Sequence, residues 1–288
     1  MTRELASLAG IDRDSPAFRL YEKAKRLGVW DPAAIDFTTD REHWASLADD
    51  ERDLLLRSCT LFLAGEESVV LDLLPLMDVI GKEGRLEEEL FLTAFLWEEG
   101  KHTEFFRRFL DDVAGAHGDL TRFCRERYRE LFHDELPRAM SALHEDPSPH
   151  AQARALVTYT LIVEGVLAET GYHAFFTALE SRSLLPGLRE GLALVKRDES
   201  RHIAYGVYVL TRLIRDDPAV WDTVEARLEE LGPLALDVAN ETFAGYRPIP
   251  FDLPILVPYA AQQLEKRRAR IASVRTGVGP IELELDED

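Results

Sequence analysis

The sequence predicts an all-α protein whose core is a bundle of four long helices with shorter helices around it. Three observations carry that expectation. Apolar residues recur at helical spacing over long segments, alternating strand-like runs are scarce, and four of the helical segments stand out by length. No short-period repeat and no low-complexity linker divides the chain, so residues 1–288 read as one domain.

A first long helix is expected from about Asp49 to Ile80, with Leu55, Cys59, Phe62, Val69 and Leu73 on one helical repeat. Pro75 should kink it near its end, and Gly81 and Gly84 should stop it. A second helix follows from about Leu86 to Val113. A third covers about Leu120 to Leu143 and is expected to break between His133 and Pro137. Pro147 and Pro149 mark Asp146 to His150 as a connection. A long helix then runs from about Ala151 to Leu179, and another from Pro186 to about Arg215. Further helices are expected at about Ala219 to Phe243 and Tyr259 to Ala272, with an irregular stretch between them. Residues 275–288 read as a mobile acidic tail.

Composition limits function. The 288 residues carry 53 acidic and 34 basic side chains, a formal net charge of −19. That balance argues against nucleic acid or an anionic membrane as a partner, since both need a basic surface. Cys59 and Cys124 do not make a disulfide framework, which points to a reducing compartment. The charged N-terminus has no apolar signal core, and no run approaches the roughly 18 apolar residues of a membrane span. A cytoplasmic location is the expectation.

Two short motifs carry the chemistry. Glu99 and His102 form Glu-x-x-His, and Glu199 and His202 form a second one. At about 100° per residue, a spacing of three puts each pair on one helix face. One such pair is usually an exposed charged pair; two copies, on separate long helices and in apolar surroundings, are not. Glu164 stands among Leu161, Ile162, Val163, Val166 and Leu167, where an unpaired carboxylate is costly. In the first helix Glu66 and Glu67 continue equally apolar stripes, and periodicity does not choose between them. One Glu from each of two helices, with a Glu-x-x-His from each of two more, is the pattern of ferritin-like dimetal carboxylate proteins. Carboxylates balance the charge of two divalent ions, imidazoles complete the coordination, and open positions remain for dioxygen.

The order of these motifs resembles the small subunit of ribonucleotide reductase. The segments AGEESVVLDLLPL, EEGKHTEFFRRFLD, VTYTLIVEGVLAETGYHAFF and RDESRHIAYG, with WDPAAIDF near the start, more closely resemble its relatives, the ligand-binding oxidases with a manganese/iron cofactor. The likeness runs from about residue 29 to about residue 255. It implies a ferritin-like bundle with Glu66, Glu99, His102, Glu164, Glu199 and His202 as ligands. These would hold one manganese and one iron ion per chain, or two irons. It also implies an ether cross-link between Val69 and Tyr159, and it makes Glu66 the ligand, because Val69 lies one turn along the same face.

Reductase subunits usually carry a radical tyrosine four residues after the first metal histidine; that position here is Phe106. The tail also lacks their relay tyrosine. The oxidases instead hold a long-chain, fatty-acid-like ligand in an apolar channel, for which Phe106, Ala168, Tyr172 and Phe175 are the expected lining. Asp198 resembles the outer acid that orients a ligand histidine, with Trp30 beside it. The resemblance further implies a homodimer. The expected activity is dioxygen-dependent attack on an unreactive C–H bond. A reductase subunit without the radical tyrosine is the first alternative and a ferritin-like storage protein the second.

Overall fold

The computed structural model describes residues 6–8 and 10–273. Helices α1 (Pro16–Leu27) and α2 (Thr38–Ser46) lead into the long helix α3 (Asp49–Asp72). Ser15 caps α1 by accepting from the Phe18 amide, with Pro16 preset in the first turn. Sequence periodicity had not marked α1 or α2, which are short and pack across the outside of the bundle. The helix expected from Asp49 to Ile80 is two helices. It ends at Asp72, and α4 (Leu74–Lys82) restarts with Pro75 in its first turn. There the missing N–H costs nothing, so the proline begins a helix where a kink was expected.

The second bundle helix is α5 (Leu86–Asp112). The third expected helix differs from its prediction. No break separates His133 from Pro137; α6 (Glu126–Arg129) widens into a π-helical stretch at Glu130–Glu135 and continues as α7 (Leu136–Ser141). The wider turn leaves carbonyls without the usual amide partner, which accommodates Pro137. A second π-helical stretch, Val157–Ala168, joins α8 (Pro149–Leu156) to α9 (Glu169–Glu180), so the predicted long helix is one rod with a widened centre.

The remaining helices are α10 (Pro186–Asp216), α11 (Val220–Phe243) and α12 (Val257–Ala272). Buried Asp40 of α2 accepts the Gly187 and Leu188 amides at 2.8 Å each, capping α10 from outside its own sequence. α3, α5, the Val157–Ala168 segment and α10 form the central bundle, over which α1, α11 and α12 pack. No strand occurs among the described residues, and no helix among them is long and apolar enough to cross a membrane. The predicted acidic tail lies outside the described residues.

Candidate metal centre

Each of the four central helices delivers part of one buried cluster. Glu66 comes from α3, Glu99 and His102 from α5, Glu164 from the π-helical segment, and Glu199 and His202 from α10. Glu67 is exposed, so only Glu66 of that pair faces the interior.

The side chains form two overlapping groups whose donor atoms lie within 4.8 Å of one another: Glu66, Glu99, His102 and Glu199, and Glu99, Glu164, Glu199 and His202. Glu99 turns one oxygen to each histidine, with Oε2 3.6 Å from His102 Nδ1 and Oε1 3.0 Å from His202 Nδ1. Glu199 does the same, at 3.4 Å and 3.6 Å. Glu66 Oε2 is 3.3 Å from His102 Nδ1 and Glu164 Oε1 is 3.8 Å from His202 Nδ1.

Electrostatics make such a cluster unstable by itself. Both oxygens of Glu99 and of Glu164, Oε2 of Glu199 and both Nδ1 atoms are buried without a hydrogen-bond partner. Burial pushes the Glu66 and Glu164 carboxyls well above the usual carboxylate range, and the neighbouring acids add to it. Burial acts the same way on Glu99, but the facing imidazoles of His102 and His202 outweigh it and hold that carboxyl low. Burial disfavours a charged imidazole, yet the facing carboxylates raise both histidines well above their ordinary value. Orphaned donor atoms around shared carboxylates fit two divalent ions: four carboxylates neutralise them, and the mixed oxygen and nitrogen set suits iron or manganese.

The outer nitrogens are held crosswise. His102 Nε2 faces Asp198 Oδ2 at 3.4 Å, and His202 Nε2 faces Glu98 Oε2 at 2.9 Å. Trp30 Nε1 donates to Asp198 at 2.7 Å, Lys101 Nζ at 2.9 Å, and Arg201 reaches both Asp198 and Glu98. Trp30 and Asp198 thus meet beside His102. Glu98, Lys101 and Arg201 went unnoticed in the sequence, although a signal existed. Glu98-Glu99-Gly-Lys101-His102 and Asp198-Glu199-Ser-Arg201-His202 share one pattern, acid-Glu-x-base-His. Gly28 is required here, because a Cβ on it would lie 2.1 Å from Glu98 Oε1.

A largely apolar cavity of about 110 Å3 touches Glu66, Glu99, Glu164 and Glu199 and runs outward between α3, α9 and α11. Ala168 and Phe175 line it, as does Val69. Phe106 and Tyr172 do not; both rings pack behind Phe62, at 5.1 Å and 5.2 Å, and Phe62 is the wall. The outer wall comes from Val238, Ala239, Thr242 and Phe243 of α11, which sequence spacing could not connect to the site. Tyr159 lies with its hydroxyl 3.4 Å from the Val69 carbonyl oxygen.

The sequence model of the family described as ribonucleotide reductase, small chain, matches residues 13–238. Among solved structures, a valine-to-alanine variant of an R2-like ligand-binding oxidase with an anaerobically reconstituted Mn/Fe cofactor is 36% identical. The match covers 94% of this chain and 98% of that one, with a TM-score of 0.89. A tyrosine-to-phenylalanine variant with an aerobically reconstituted Mn/Fe cofactor matches at the same identity and coverage, with a TM-score of 0.88. A valine-to-isoleucine variant, also aerobically reconstituted, is 35% identical over 94% of this chain and 99% of its own, with a TM-score of 0.89.

Proposed function

The chain belongs to the ribonucleotide reductase small-chain family, and from that premise we propose that it is a ligand-binding oxidase. Glu66, Glu99, His102, Glu164, Glu199 and His202 hold one manganese and one iron ion beside a site for a long-chain, fatty-acid-like molecule. The observation that carries this reading is a single juxtaposition: the unpartnered acids that could bind ions are also the inner wall of an apolar cavity. Bound there, the ions would supply the dioxygen chemistry needed to attack a C–H bond. The same residues accept two irons, so the manganese rests on the relatives.

The protein's own part is placement. Glu99 and Glu199 turn one oxygen to each histidine and would be shared by both ions, while Glu66 with His102 and Glu164 with His202 would complete the two sets of ligands. The apolar walls exclude water and take an alkyl chain whose polar end lies toward the acids. Tyr159 and Val69 are the internal substrate. A C–O bond forms between the phenolic oxygen and the valine side chain, and the two hydrogens lost reduce dioxygen.

Aerobic loading with both metals should lower the intact mass by two hydrogens and leave the tryptic peptides of the two helices joined. Loading without oxygen should do neither. Tyr159→Phe should bind metal normally and never cross-link, which separates assembly from reactivity. Doubly loaded wild-type protein that stays unlinked after repeated exposure to air would remove the main support for this reading. A reductase subunit without the radical tyrosine is the second reading. The hydrogen-bonded run from the partly buried Trp30 through Asp198 to His102 favours it. Ribonucleotide reduction stimulated by an added large subunit would put it first.

A further inference from the structure

The crosswise brackets around the two histidines are alike in pattern and unequal in strength. With Nδ1 turned to the cluster, an imidazole holding a metal ion there would keep its proton on Nε2 and donate it outward. His202 donates at 2.9 Å to Glu98 Oε2, which takes no second hydrogen bond shown among the described residues; Arg201 binds the opposite oxygen, Oε1. His102 donates at 3.4 Å to Asp198 Oδ2, which already accepts from the Trp30 indole and the Lys101 ammonium. The second oxygen of Asp198 accepts from Arg201. Asp198 therefore accepts from two cations and an indole, whereas among the described residues Glu98 accepts from one cation, the shared Arg201, and feels the Lys101 charge only from beyond hydrogen-bond distance. All four charged groups are buried, so water does little to even out the difference.

A carboxylate that accepts an imidazole N–H strengthens the opposite nitrogen as a metal ligand. A short bond to an undivided oxygen does so more than a long bond to one shared among three donors. Affinity of mixed nitrogen and oxygen sites rises from manganese to iron, and the nitrogen donor contributes to that rise. The half with the stronger imidazole is therefore the one that discriminates more in favour of iron.

From this asymmetry we propose that Glu98 is a positioning residue that makes the Glu164–His202 half select iron, while the shared load on Asp198 leaves the Glu66–His102 half tolerant of manganese. Lys101 is the counterpart device, because its ammonium draws charge from the oxygen that His102 uses. The inference rests on the metal-centre reading above and deepens it. It names the residues that divide the two ions.

The test is loading without oxygen with equal amounts of Mn(II) and Fe(II), followed by anomalous scattering at both absorption edges to read each half separately. In wild-type protein the iron-to-manganese ratio should be higher at the His202 half. Glu98→Gln, which keeps the size and removes the charge, should lower that ratio about tenfold. Lys101→Met should raise iron's share at the His102 half. An unchanged distribution in Glu98→Gln overturns the proposal. Should that variant lose the ion of its half altogether, Lys101→Met decides, and an unaltered iron share at His102 overturns it. Two ions bound in wild type with no preference also overturn it, but leave the metal centre standing. Wild-type protein that binds neither ion overturns the metal-centre reading itself.

Discussion

Glu66 and Glu67 sit one position, and about 100° of helix rotation, apart. That is enough to bury the first against His102 and leave the second in solvent. Glu66→Ala should bring metal content, measured by elemental analysis, well below two ions per chain. Glu67→Ala should bind the full complement and change stability by no more than about 0.5 kcal/mol, as exposed substitutions do. The reverse pattern would mean that α3 presents its other face. Phe62 makes a similar point for bulk, because its ring closes the cavity in front of Phe106 and Tyr172. Phe106 and Tyr172, expected to line the channel beside Ala168 and Phe175, are instead the packing that holds its wall.

At the scale of an element, the π-helical segment Val157–Ala168 explains how one helix serves two tasks. Tyr159 and Glu164 are five positions apart, which in a regular α-helix is about 140° of rotation. A π turn closes from residue i to i+5 and brings both side chains to the bundle interior. Wider turns have to be held, and close packing does it. A Cβ on Gly206 of α10 would lie 2.1 Å from Thr160 Oγ1 and 2.5 Å from Thr160 Cβ. Gly206→Ala should therefore destabilise the protein by about 1–3 kcal/mol, despite the better helix propensity of alanine. The shift in denaturation midpoint measures it. Adding Thr160→Ala should recover part of the loss, and an equal loss in the double variant would place the strain elsewhere.

At the scale of the whole molecule, the cluster ties four helices together, and its charge makes stability depend on pH. Glu66 and Glu164 hold their protons in the folded, metal-free state above the ordinary carboxyl value of 4.5. The histidines hold theirs above 6.5. For these four groups the folded chain binds more protons than the unfolded one, so stability falls as pH rises above those values. Glu99 and Asp198, held low, oppose this only in acid. The melting temperature of metal-free protein should thus decline as pH is raised from 6.5. Bound metal should raise it and flatten the decline, because ions replace the protons and bind only the native state. A metal-free melting temperature that climbs with pH would contradict this charge arrangement.

The helical class, the positions of the long helices and the residues of the two Glu-x-x-His pairs were readable in the sequence, because each depends on local spacing. So was the buried setting of Glu164, since a carboxylate in an apolar run announces its own cost. Pro75 and Pro137 misled for the same reason. Locally they signal a kink or a break, but one starts α4 and the other follows a π-helical turn. Glu66 over Glu67, the crossing of Asp198 to His102 and Glu98 to His202, and the cavity wall from α11 depend on which helix faces which. A chain read along its length shows which side chains share a helix face. Only packing decides what that face meets, because contacts between helices join residues that no local period relates.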